Sequence, residues 1–319
     1  MLKPSLKRLL TLITLTLLVT ACTSKEEQIQ KAVEQQARAT AAALQQLEKA
    51  LDDKRIRNTT ILLQYAETLK AKKPELGALI DHLAKDATVK GPLYSNLVLR
   101  FDQAKNNAKA FADPNQRINE LQAISEGAQL SLFNDALSDP INVLADMSDG
   151  TLPRINAISR ESEVSANKSQ GQGPGSQLVG NPNYGNWQTG SGGTSFWAWY
   201  GMYSMFSNVM GYNRYDYGGW GRNRGYSYYS DYGRNRYSSP KQRQTQQKLY
   251  SKTKKSFAAR GKSFTGPYSK RRVGSSSLSR ASHTPAKRSS FAKKSVFSSN
   301  SGSVRSGSSR TSRGSSRGK

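Results

Sequence analysis

Cys22, His82 and His283 are the only thiol and imidazole groups among the 319 residues. A single cysteine excludes an internal disulfide and any site built from several thiolates. The two histidines are 201 positions apart, so no pair has metal-ligand spacing. His82 falls beside apolar positions of a predicted helix and reads as a partly buried or surface histidine. His283 falls in a tail rich in Ser, Lys and Arg. The Gly190-Ser191-Gly192-Gly193 run lacks the context between a strand and a helix that a phosphate loop would require. No nucleophile, base and orienting group come together in the pattern. The sequence thus points to no enzyme, no catalytic residue, no metal and no cofactor. What it offers in quantity is positive charge. Lys252, Lys254 and Lys255, and then Lys270, Arg271 and Arg272, form dense clusters that can donate to phosphate or carboxylate oxygens. These six are the expected primary contacts to a polyanion.

That charge is unevenly placed. The net is +26 for the whole chain, yet residues 23–168 carry 19 Lys/Arg and 20 Asp/Glu. Residues 169–319 carry 26 Lys/Arg and 2 Asp/Glu, and no acid follows Asp231. An asymmetry of this size assigns the two parts different roles, with the basic part suited to polyanions or anionic membrane surfaces. Aromatic rings crowd the start of the basic part. All four tryptophans lie within 187–220 and eleven of the fifteen tyrosines within 184–237. Trp197, Trp199, Tyr200 and Trp220 are the expected interaction aromatics, either at a membrane–water interface or in contact with the helical part or a second copy. Gly221-Arg222-Asn223-Arg224 recurs as Gly233-Arg234-Asn235-Arg236, a small Arg/Gly/aromatic repeat of the kind that binds nucleic acid or drives self-association.

The N-terminus supplies an address. Lys3, Lys7 and Arg8 precede eleven residues of Leu, Ile, Val and Thr, followed by Thr20, Ala21 and Cys22. This is the layout of a signal peptide, with an apolar run too short to span a bilayer. The Val19-Thr20-Ala21-Cys22 ending resembles the lipobox of bacterial lipoproteins. The resemblance covers residues 1–22 only. It implies cleavage after Ala21, a diacylglyceryl thioether on Cys22 and acylation of the new amino terminus, and hence stable anchoring. Thr23 in place of Asp implies the outer membrane by the same resemblance. An ordinary signal peptide that leaves Cys22 a plain thiol, or an uncleaved anchor, are the alternatives.

The elements between read as helices. Ile29, Val33, Ala37, Thr40, Leu44, Leu47 and Leu51 recur at steps of three and four and make one stripe. Asn58-Thr59-Thr60, Pro74, Gly91-Pro92, Asp113-Pro114 and Asp139-Pro140 mark later helix starts. The expected fold class is mainly α: a helical bundle or coiled-coil-like domain over 22–168, then a long disordered low-complexity half. That half divides into a Gly/Tyr/Trp-rich segment, 169–240, and a basic tail, 241–319. The composition of the tail cannot by itself bury enough apolar area to offset its ordering entropy. The expected function is that of a non-catalytic envelope lipoprotein. Its tail binds lipopolysaccharide, anionic lipid, an acidic glycan or, outside the cell, nucleic acid. The alternative is an assembly protein that self-associates or holds a partner through its aromatic segment.

Overall fold

The computed structural model describes residues 25–170, 173–191, 193–201, 215–275 and 277–287. The fold over these residues is mainly helical. Helix α1 (Lys25–Asp52) buries the predicted stripe on one side, with Val33, Thr40, Leu44, Leu47 and Leu51 turned inward. It packs mainly on α5 (Pro114–Gly127), where the Thr40 hydroxyl donates to the Leu121 carbonyl at 2.9 Å. Helix α2 (Arg57–Lys72) buries Leu62, Ala66 and Leu69. Pro74 begins a short 3-10 turn that leads into α3 (Gly77–Ala84). Helix α4 (Pro92–Asn106) has its proline in the first turn, where no intrahelical N–H is needed. A Cβ on Gly91 would lie 2.4 Å from the Asp86 Cα, so only glycine fits that corner. Asp113 caps α5 by accepting from the Gln116 N–H. Helices α6 (Leu130–Ala136), α7 (Ser138–Asp146) and α8 (Arg160–Asn167) complete this part.

Two local expectations shift. Asp139-Pro140 lies inside the first turn of α7 rather than before it, and the helix that starts at Asp113-Pro114 ends at Gly127, with a separate helix from Leu130.

The larger correction concerns the second half. Over 173–191, 193–201, 215–275 and 277–287 the expectation of disorder does not hold. Strands β1 (Gly185–Thr189) and β2 (Ser195–Trp199) form an antiparallel hairpin in which Trp187 faces Trp197. Helices α9 (Tyr217–Asn223), α10 (Arg234–Tyr237), α11 (Pro240–Ala258) and α12 (Arg280–His283) follow. A single buried cluster runs from Leu44 through Leu178, Tyr184, Trp220 and Tyr237 to Leu278, so both halves share one core. The basic half does not bury itself. It buries its tyrosines against the helices instead, each ring contributing apolar area, and the Tyr184, Tyr228, Tyr229 and Tyr237 hydroxyls find partners.

The helical half holds its neighbour largely by its acids. The Asp139 oxygens accept from the Tyr228 and Tyr229 N–H groups at 2.7 and 2.9 Å. Asp86 accepts from the Tyr184 hydroxyl at 2.7 Å, and Asp135 from Ser279 and Ser282. Glu126 pairs with Arg236 at 3.1 Å. Burial raises the Asp86 and Asp139 carboxyls to about 7 against the opposing pull of these donors.

Candidate anion-binding cleft

Helix α11 starts at a full capping box. The Ser239 hydroxyl accepts from the Gln242 N–H, the Gln242 side chain accepts from the Ser239 N–H, and Pro240 occupies the first turn. One residue of the helix, Gln246, is buried, and it locks the element in place. Its amide donates to the Tyr229 hydroxyl at 2.7 Å and to the Gly180 carbonyl, and its oxygen accepts from Arg234. The rest of α11 is left largely to solvent.

Between α11 and the hairpin lies a cleft of about 430 Å³. The hairpin side carries Asn186, Trp187, Thr189, Trp197 and Tyr200, and the helix side carries Lys241, Thr245, Lys248, Leu249 and Lys252. The lining holds three lysines and no acid. Among the described residues these three ammonium groups have no ion-pair or hydrogen-bond partner. At about 100° per residue, Lys241, Lys248, Lys252 and Lys255 fall within an arc of about 60° and extend along about 21 Å of helix. They form a cationic stripe that flanks an aromatic wall.

The wall is rigid. Trp187 meets Trp197 edge-on at 5.2 Å, Tyr217 at 4.9 Å and Trp220 at 5.3 Å. A two-stranded hairpin is marginal in isolation, and this packing holds it in register. A Cβ on Gly185 would lie 2.3 Å from the Ala198 carbonyl, so the strands approach closely only because that position is glycine.

The sequence-predicted residues divide sharply. Trp220, Trp197 and Trp199 are 2, 3 and 9 % exposed and belong to the core, whereas Tyr200 is 51 % exposed at the cleft. Lys252 lines the cleft and Lys255 continues its stripe. Lys254 lies 6.0 Å from the Tyr250 ring. Lys270 is exposed, and its carbonyl accepts from Arg224. Arg271 stacks on Tyr232 at 4.5 Å. Arg272 donates to the Asn167 and Arg222 carbonyls, so its guanidinium serves the fold, and burial lowers its pKa. Cys22 lies outside the described residues. His82 is half-buried, its pKa lowered by burial and by Lys85, and His283 is exposed against Tyr232.

The arginine repeat is also spent internally. Arg224 forms a buried bidentate pair with Asp231 at 2.7 and 2.8 Å, and Arg236 pairs with Glu126. Their repeat partners lie over rings, Arg222 at 5.4 Å from Phe257 and Arg234 at 4.2 Å from Tyr268. Sequence reasoning missed Lys241 and Lys248, which stand alone rather than in a cluster. The helical spacing of 241, 248, 252 and 255 was the signal that could have found them.

No helix among the described residues is long and apolar enough to cross a membrane. No protein-family model, curated protein or solved structure matches this chain.

Proposed function

We propose that this protein is a non-catalytic cell-envelope lipoprotein, tethered through lipid on Cys22 at the outer membrane, that binds an anionic envelope polymer or lipid. The observation that carries the reading is the set of three lysines without partners beside one aromatic wall, with no acid in the lining. Arg224 and Arg236 are consumed by Asp231 and Glu126, so the charge left for a partner is concentrated on α11. Residues 288–319 add eight cations and no acid to the same end of the chain. Each Lys or Arg close to an anionic surface contributes about 1 kcal/mol, which salt weakens. The alternative of self-association through the aromatic segment receives less support, because most of its rings are already covered within one chain.

The test is a salt titration of the full chain against inorganic polyphosphate. The logarithm of affinity should fall linearly with the logarithm of NaCl concentration, since contacts by several cations release counterions. Replacing Lys241, Lys248 and Lys252 together by glutamate should flatten that slope and weaken binding at low salt. Affinity that is indifferent to salt, or a triple variant that binds as the parent does, would overturn the proposal.

A further inference from the structure

Resting on that reading, we infer that the cleft takes a sugar ring bearing a carboxylate or phosphate, as one unit of a linear acidic polysaccharide. Three observations converge on this class. First, the cleft has unlike walls. A pyranose has a C–H face that lies against the negative face of an aromatic ring, and Tyr200 offers such a face, half exposed, at the hairpin side. Its ionised substituent then meets Lys248 or Lys252 across the gap.

Second, Trp187 and Trp197 both line the cleft, and their indole N–H groups have no acceptor among the described residues. Both nitrogens are themselves buried, so they add polar character to the wall and are not open contacts. Asn186 and Thr245, both exposed at the rim, add amide and hydroxyl groups suited to further sugar hydroxyls.

Third, the stripe from Lys241 to Lys255 extends about 21 Å, longer than one ring, so neighbouring charged units of a chain would be held as well. Single-stranded nucleic acid fits less well, because its binding uses several open stacking faces and the Trp197, Trp199 and Trp220 rings are buried.

The experiment follows tryptophan fluorescence of the full chain in neutral detergent, since two of the four tryptophans line the site. The probes are polygalacturonate, inorganic polyphosphate, single-stranded DNA and phosphatidylglycerol in mixed micelles. Polygalacturonate should bind about tenfold more tightly than polyphosphate per anionic group, and Tyr200→Ala should remove that advantage. Tyr200 is exposed, so the variant should keep the parent circular dichroism spectrum and unfolding midpoint. Equal binding of polygalacturonate and polyphosphate, with Tyr200→Ala indifferent, would overturn the saccharide inference and leave the polyanion reading standing. Tighter binding of DNA or phosphatidylglycerol than of polygalacturonate would overturn it in the same way. Failure of all four probes at low salt would overturn both.

Discussion

At the scale of single residues, the free lysines and the captive arginines differ in what they cost to disturb. Arg224 and Asp231 are each almost wholly buried, and removing one partner from such a pair leaves a stranded charge. Lys252 is exposed and without a partner, so its substitution should alter binding and leave the fold alone. Asp86 carries a pH dependence of its own. Its carboxyl moves from an ordinary value of 3.8 up to about 7 in the folded protein, chiefly through burial. Between those values the folded state holds a proton that the unfolded state has released. The contribution of Asp86 to stability therefore falls as pH rises from about 4 to about 7, by at most about 1.4 kcal/mol per pH unit. Asp139 acts in the same direction. Asp86→Asn keeps an oxygen acceptor for the Leu93 N–H and removes the titration. Unfolding free energy measured by urea between pH 4 and 7 should decline less steeply in this variant than in the parent, and parallel profiles would refute the assignment.

At the scale of elements, α11 shows how local and long-range causes divide the work. Its capping box and first-turn proline are legible in Ser239-Pro240-Lys241-Gln242, although the composition around them argued for disorder. Ser239→Ala should cost about 1 kcal/mol, read as a lower urea midpoint, and should weaken polyphosphate binding because Lys241 belongs to the turn that frays. An unchanged midpoint would show that packing alone defines the helix start. The hairpin is the opposite case. Residues 185–199 carry no aliphatic alternation to mark two strands, because the inward positions of β2 are Ser195, Trp197 and Trp199. Its register depends on Trp187 finding Tyr217 and Trp220, which lie about thirty residues further along.

At the scale of the whole molecule, the charge division marked by composition is a division between a holder and what it holds. The acids of residues 23–168 include Asp86, Asp135 and Asp139, all buried against the second half. A chain ending at residue 168 would leave those carboxylates without the Tyr184, Ser282 and Tyr228 groups that meet them. Such a fragment should unfold with a broadened transition and bind a hydrophobic dye such as ANS. A fragment that unfolded cooperatively at the midpoint of the full chain would show that the helices form an independent unit.

The amino-acid sequence by itself determined the mainly helical first half, since apolar residues at steps of three and four and first-turn prolines act within a few residues of one another. It also determined the strong positive charge of the second half and the dense clusters at 252–255 and 270–272. Only the tertiary structure decided which of those charges are available. Arg236 and Glu126 are 110 residues apart, and no local pattern announces that they neutralise each other. The same distance in sequence hid the order of the basic half. Its tyrosines and arginines have few apolar or acidic neighbours along the chain, and the partners that bury and satisfy them are supplied by helices folded from the other end.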